Sequence, residues 1–235
     1  MAQAGLREEE LRFAGHGRDP VRAVCLSPAG EAEGPRPGAV LIHGGFGLDA
    51  HALDAARLLA RAGYAVIAPD LHARGGAAGQ PADRRALGDL EAAAGALVER
   101  AGADPRRIAA VGYSTGGTFA FLFGCASTRV AAVVDFYGRI VYPALSAEQP
   151  TQPLELALNL GAPLLFLAGE DDPAVPPEHV ALLRRVLSQF GKDFDIVTYP
   201  GVAHGFLNDR RGGYDAAAAA DAWGRALAFL EQRLA

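Results

Sequence analysis

Short apolar runs alternate with stretches that repeat apolar residues at helical spacing, and this alternation restricts the fold more than any other feature. Apolar runs of about four to eight residues are typical of strands buried on both faces, and apolar residues three or four apart are typical of helices packed on them. Strands and helices in alternation form a mostly parallel sheet covered on both faces. We therefore expect an α/β fold and a single domain over residues 1–235.

The predicted elements follow the chain in that order. Strands are expected at 9–14, 21–27, 39–43, 64–68, 107–111, 131–136, 164–168 and 194–198, and helices at about 50–62, 82–101, 118–126, 182–190 and 223–234. Between residues 137 and 162, three prolines leave room for one short helix at about 154–160. We therefore expect no large cap domain over the site.

Composition excludes several classes of protein. The formal net charge is −5 and no long basic cluster is present, so a nucleic-acid partner is not expected. No apolar stretch is long enough to cross a bilayer, and the N-terminal residues lack the apolar segment of a signal peptide. Two distant cysteines suggest neither a disulfide framework nor a zinc site. The expectation is a cytoplasmic protein with no membrane partner, metal or cofactor.

A serine lies between two glycines where a predicted strand becomes a helix. The segment 112–116 reads Gly-Tyr-Ser-Thr-Gly, which has the G-x-S-x-G pattern of a nucleophile elbow. Glycines at such a junction permit a turn tight enough to expose the serine hydroxyl. Ser114 is therefore the candidate nucleophile.

Ionisable side chains follow two later strands, as a serine nucleophile requires. Sites in such sheets gather beyond the carboxyl ends of the strands. One loop holds Glu170, Asp171 and Asp172, and the next holds His204. The order serine, acid, histidine is that of α/β-hydrolases. We interpret His204 as the general base and Asp172 as the residue that orients it, with Asp171 as the alternative acid.

Two backbone amides are expected to form an oxyanion hole. Thr115 follows the nucleophile, and Gly45 lies in the glycine-rich loop after the predicted strand 39–43. Amides in this position stabilise the negative charge that develops on a carbonyl oxygen. His43 is expected to brace that loop rather than to transfer protons.

From the His43 loop to the His204 loop, the chain resembles the dienelactone hydrolase family. The segments that carry the resemblance are Phe46–Asp49, Pro69–Arg74, Gly112–Gly117, Asp172–Pro176 and His204–Phe206. The resemblance implies an α/β-hydrolase fold that cleaves a lactone or ester and identifies Arg74 with a residue that binds a substrate carboxylate. A solvated loop arginine is the alternative interpretation of Arg74.

Three positions depart from the family's pattern. Ser114 replaces the cysteine of well-known members, and Gly44 stands where they carry a glutamate that holds the resting thiol. A second arginine of the family falls on Asn208. The resemblance therefore implies a serine-type branch, and we predict a hydrolase for a small carboxylic ester or lactone, with monomer and weak homodimer both open.

Two other functions are compatible with parts of the sequence. The segment 45–50 satisfies G-x-G-x-x-A between a strand and a helix, and Asp70 ends the next strand, which imitates a dinucleotide-binding fingerprint. That interpretation leaves Ser114, Asp172 and His204 without a role. The third possibility is a non-catalytic binding protein with a hydrolase fold.

Overall fold

A computed structural model of the protein describes residues 5–30, 34–72 and 81–235. Its strands form one eight-stranded sheet in the order β1-β2-β4-β3-β5-β6-β7-β8. The strands are β1 Leu6–Ala14, β2 Pro20–Pro28, β3 Arg36–Ile42, β4 Ala65–Pro69, β5 Ala103–Tyr113, β6 Val130–Phe136, β7 Leu164–Gly169 and β8 Phe194–Tyr199. Strands β3 to β8 are parallel, and β2 pairs antiparallel with both β1 and β4. The predicted mostly parallel sheet is confirmed.

Helices cover both faces of the sheet, as predicted. They are α1 Ala50–Arg61, α2 Asp83–Ala101, α3 Thr115–Ala126, α4 Pro177–Gln189 and α5 Ala216–Arg233. One buried cluster joins α2, α3 and α4 to one face of the sheet, and a second joins α1 and α5 to the other. Strand β3 shows the division, because Val40 and Ile42 belong to the first cluster and Ala39 and Leu41 to the second. Successive side chains of a strand point to opposite faces, so one strand serves both cores.

Helix α3 begins at Thr115, three residues before the predicted start at 118. Glycines 116 and 117 weaken the helical signal in the sequence, but the fold needs them. A Cβ atom on Gly116 would lie 2.1 Å from the carbonyl oxygen of Ile42, and one on Gly117 would lie 2.2 Å from Asp135 Oδ1. At these two positions, the first turn of α3 therefore approaches strands β3 and β6 too closely for any side chain.

The segment between β6 and β7 contains one 3-10 helix, Pro153–Asn159, where the sequence predicts a short helix. No large cap is evident in this segment, which the structure describes throughout. Among residues 5–30, 34–72 and 81–235, no helix is both long and apolar enough to cross a membrane.

The strand register brings the functional loops to one edge of the sheet. Ile42 pairs with Gly112, Tyr113 with Phe136, and Gly169 with Tyr199. The carboxyl ends of β3, β5, β6, β7 and β8 are therefore neighbours. The loops that follow them carry all the candidate residues of the described chain.

Candidate active site

Ser114 occupies a strained turn between β5 and α3. Its φ is 56° and its ψ is −124°, in the positive-φ region that side chains rarely adopt. Its amide donates to the carbonyl of Phe136 at 2.9 Å, and its own carbonyl accepts from the amide of Thr118 at 3.1 Å. Gly112 permits the turn, since a Cβ there would lie 2.0 Å from the carbonyl oxygen of Gly116. The serine is half-buried, with its hydroxyl at the carboxyl edge of the sheet.

A continuous hydrogen-bonded chain runs from that hydroxyl to a buried carboxylate. Ser114 Oγ lies 2.9 Å from His204 Nε2, and His204 Nδ1 lies 2.6 Å from Asp172 Oδ2. The Asp172 side chain is completely buried, whereas that of His204 is about a third exposed. A carboxylate at Nδ1 favours the tautomer with the proton on Nδ1, which leaves Nε2 free to accept from the serine. The arrangement can remove a proton from Ser114.

The other acids of this loop have different partners. Asp172 Oδ1 accepts from the amide of Ala174 at 2.7 Å, so both of its oxygens are satisfied. Glu170 is exposed and accepts a hydrogen bond from the hydroxyl of Thr198 at 2.8 Å. Asp171 is exposed as well. Of the three acids, Asp172 is the one hydrogen-bonded to His204.

The loop after β3 lies beside the start of α3. A Cβ on Gly45 would lie 3.6 Å from Thr115 Oγ1. Within the described residues, neither the Gly45 amide nor the Thr115 amide donates to a protein acceptor. Two free amides next to Ser114 are a suitable oxyanion site.

His43 holds this loop from beneath, in agreement with its predicted bracing role. The ring is buried; Nε2 accepts from the Leu71 amide at 3.0 Å, so Nδ1 carries the proton and donates to the carbonyl of Gly44 at 2.8 Å. Burial lowers the pKa of His43, which favours the neutral ring that this pattern requires.

Strand β6 and the loop directly after it contribute residues that the sequence analysis did not single out. Asp135 is fully buried, and its Oδ1 accepts from the Gly138 amide at 2.7 Å. Tyr137 has a φ of 46° and stacks edge-on against the His204 ring, with 5.1 Å between centroids. The rule that sites follow the carboxyl ends of strands would have found this loop too, because residues 137–139 come directly after β6.

Two cavities meet at Ser114, Tyr137 and His204. The Arg139 cavity, of 650 Å³, is further lined by Thr115, Thr118, Arg139, Tyr142, Pro143, Gln149, Pro173 and Ala174. The Phe46 cavity, of 230 Å³, is further lined by Gly44, Gly45, Phe46, Tyr113, Gly205, Asn208, Arg211 and Gly212. Their volumes suit small ligands, and Ser114 is accessible from both.

The remaining predicted positions divide into two groups. Arg74 lies outside the described residues, so its proposed contact with a carboxylate stays a prediction. Asn208 lines the Phe46 cavity, and its Oδ1 accepts from the Arg210 amide at 3.0 Å. No charge is therefore supplied at the position where the resemblance places a second arginine.

The geometry at the start of α1 argues against the dinucleotide interpretation. In such sites a pyrophosphate binds the free amides at a helix N-terminus. Here the Asp49 carboxylate caps α1 and accepts from the Ala52 amide at 3.0 Å. A carboxylate in that place repels a phosphate.

Comparison with known proteins identifies the family. The sequence profile described as the dienelactone hydrolase family matches residues 21–234. The chain belongs to the dienelactone hydrolase family. It is 33% identical over 213 residues to a Yersinia pestis protein named "Putative carboxymethylenebutenolidase", covering 85% of this chain and 79% of the relative. An Escherichia coli K12 protein of the same name is 32% identical over 216 residues, covering 86% and 79%.

The solved structures agree with this assignment. The crystal structure of a protein named "Putative Dienelactone Hydrolase", from Klebsiella pneumoniae, superposes with a TM-score of 0.91 at 29% identity, covering 97% of this chain and 99% of that one. The α/β-hydrolase fold predicted from the sequence is thus confirmed. As a member of the dienelactone hydrolase family the protein is a hydrolase.

Proposed function

We propose that the protein is a serine hydrolase that cleaves a small carboxylic ester or lactone through an acyl-enzyme. The observation that carries the proposal is the hydrogen-bonded chain from Ser114 Oγ through His204 to Asp172, at 2.9 and 2.6 Å. In this order the histidine can take the proton of the serine hydroxyl, and the carboxylate orients the histidine. The names of the relatives, carboxymethylenebutenolidases of a lactone-hydrolysing family, support a lactone as one substrate class.

The first half of the reaction forms the acyl-enzyme. Ser114 Oγ attacks the carbonyl carbon while His204 Nε2 takes its proton, and Asp172 stabilises the resulting imidazolium. Collapse of the tetrahedral intermediate breaks the bond to the alcohol oxygen, which receives the proton from His204. Water then attacks the acyl group with His204 again as base, which releases the acid and restores Ser114.

The free amides of Gly45 and Thr115 would stabilise the negatively charged oxygen in both tetrahedral intermediates. Donors of this kind are each worth about 2.7–4 kcal/mol of transition-state stabilisation. Because Gly44 has no side chain, the residue directly before Gly45 contributes no carboxylate beside this charge. That absence of a neighbouring carboxylate favours an oxyanion at this site.

Replacement of the nucleophile tests the proposal. We expect Ser114→Ala to lower the turnover of p-nitrophenyl acetate by about 10⁴- to 10⁶-fold, because Ser114 is the nucleophile of the proposed mechanism. Ser188→Ala, at an exposed serine in α4, is the matched control and should keep wild-type turnover. Mass spectrometry after treatment with a fluorophosphonate should find one adduct, on Ser114, in both the wild type and the control.

The other two functions predict different results. Ester turnover that survives in Ser114→Ala would contradict the mechanism. A wild-type protein with neither turnover nor adduct would favour the non-catalytic binding protein, and saturable NADH fluorescence without ester turnover would favour the dinucleotide interpretation. A screen of p-nitrophenyl esters against unsaturated lactones then separates the two substrate classes.

A further inference from the structure

The Arg139 cavity contains a cation that the proposed mechanism does not use. Arg139 is exposed, and within the described residues its guanidinium has no hydrogen-bond or ion-pair partner. Among the described residues of the lining, the only other ionisable base is His204, which the proposed mechanism already uses. No carboxylate is among the residues that line this cavity in the described part of the chain. An unpaired guanidinium in such a place is free to bind an anion.

The backbone on both sides of Arg139 is held in place. The Gly138 amide donates to the buried carboxyl of Asp135 at 2.7 Å. A Cβ on Gly138 would lie 2.3 Å from the Thr118 nitrogen, so this residue packs directly against α3. Ile140 is buried, and its carbonyl accepts from the Leu154 amide at 2.9 Å. Arg139 therefore extends from a fixed base, which lowers the entropy lost when its side chain binds a ligand.

The wall of the cavity around Arg139 is polar but uncharged. The Tyr142 hydroxyl donates to Asp83 Oδ1 at 2.9 Å, and both side chains are buried. Burial raises the pKa of Asp83, which weakens the negative charge behind Tyr142. Thr118 and Gln149 add further hydrogen-bonding groups to the lining. Because the Tyr142 hydroxyl already donates its proton to Asp83, it is not free to donate to a ligand. An anion that entered would therefore meet the Arg139 guanidinium and the polar groups of Thr118 and Gln149.

Arg211, the arginine of the Phe46 cavity, is engaged differently. Its guanidinium carbon lies 3.6 Å from the centroid of the Phe46 ring. A cation in this position is stabilised by the aromatic face of Phe46, which remains 66% exposed. Of these two arginines, Arg139 is the one with no such contact.

We propose that Arg139 is a specificity-determining residue that binds a carboxylate of the substrate in the Arg139 cavity. This inference rests on the proposed function, since it names the class of ester or lactone that the same site prefers. The carboxylate belongs to the acyl part or to the alcohol part of the substrate, whichever enters this cavity. The contact persists throughout the reaction, so it contributes to binding rather than to the chemical step.

Two matched substrate pairs test the proposal. One pair is the p-nitrophenyl monoester of adipic acid against p-nitrophenyl hexanoate, which differ by a carboxylate on the acyl chain. The other is 4-acetoxybenzoate against phenyl acetate, which differ by a carboxylate on the alcohol part. In at least one pair we expect Arg139→Gln to raise KM for the anionic member by about 10-fold, as loss of a charge-assisted hydrogen bond predicts, with kcat nearly unchanged.

Two further variants separate the contact from a general effect of charge. Arg139→Lys keeps the charge but loses the planar fork and should fall between the wild type and Arg139→Gln. Arg185→Gln removes one positive charge from an exposed position of α4 that lines neither cavity. In both pairs it should leave the ratio of KM for the anionic substrate to KM for the neutral substrate unchanged. If Arg139→Gln resembled Arg185→Gln in both pairs, the proposal would be overturned.

A binding measurement tests the inference without turnover. Calorimetric titration of adipate into Ser114→Ala should show saturable binding, which the added Arg139→Gln substitution weakens by about 10-fold. Equal binding by the two proteins would overturn the role of Arg139 alone. Absence of neutral-ester turnover in the wild type, with adipate binding still dependent on Arg139, would instead overturn the proposed hydrolysis.

Discussion

Three consecutive acids that are alike in the sequence differ in their hydrogen-bond partners in the structure. Glu170, Asp171 and Asp172 are consecutive acids in one loop, and only the path of the backbone turns one of them inward. Val175 donates to the carbonyl of Asp172, and Ala174 donates to its side chain, so this turn directs the carboxylate towards the β8 loop. The turn thereby places the Asp172 carboxylate 2.6 Å from His204 Nδ1.

Asp135 is the buried acid whose charge should matter most for stability. Its Oδ2 has no hydrogen-bond partner within the described residues, and burial raises the pKa of the carboxyl to about 8. In the unfolded chain its pKa is near the ordinary value of 3.8. Between these values the native state holds the proton and the unfolded state does not, so this group makes stability fall as pH rises from about 4 to 8.

We therefore predict that the stability of Asp135→Asn rises relative to that of the wild type as pH rises. Asn keeps an oxygen for the Gly138 amide and carries no charge. The difference in unfolding free energy should shift towards the variant by up to about 1.4 kcal/mol per pH unit, measured by urea denaturation between pH 5 and 8. Parallel stability profiles for the two proteins would show that the carboxyl of Asp135 titrates normally.

At the scale of elements, α3 depends on contacts between backbones. Gly112, Gly116 and Gly117 allow it to begin within van der Waals distance of β3, β5 and β6. This close approach accompanies the positive φ of Ser114 and leaves the Thr115 side chain beside Gly45. The backbone geometry at Ser114 thus depends on how closely α3 packs on the sheet.

Two glycine substitutions test this. Gly116→Ala should lower the unfolding free energy by about 1–3 kcal/mol or more, because its methyl group would lie 2.1 Å from a backbone oxygen that cannot move alone. Gly95→Ala, in α2, has open space around its Cβ and should raise stability by about 0.5–1 kcal/mol through helix propensity. Chemical denaturation measures both. Equal effects of the two substitutions would contradict the packing argument.

At the scale of the whole molecule, one sheet separates two buried clusters and belongs to both. Phe119 of α3 lies in the first cluster and Leu230 of α5 in the second. Strands β3 to β7 carry side chains into each, so neither cluster can be lost while the other keeps its sheet. This continuity supports the prediction of one domain over residues 1–235.

We predict a single cooperative unfolding transition that substitutions on either face shift together. Phe119→Ala and Leu230→Ala should each lower the unfolding free energy by about 2–5 kcal/mol, and Phe190→Ala, at a ring that is 40% exposed, by less than about 1 kcal/mol. Differential scanning calorimetry should give equal calorimetric and van't Hoff enthalpies. Two transitions, each moved by only one of the core substitutions, would show separate folding units.

The sequence by itself determined the α/β fold, the elbow at Ser114 and the serine, acid, histidine order, because each is written in consecutive residues or in their periodicity. Element boundaries were predicted less well where a tertiary contact overrode local signal, as at the glycines that open α3. Only the tertiary structure decided which acid lies against His204, that Tyr137 stacks on the same ring, and that Arg139 enters a cavity at Ser114. Such contacts depend on how the loops of five parallel strands turn at one edge, and residues far apart in the chain meet there.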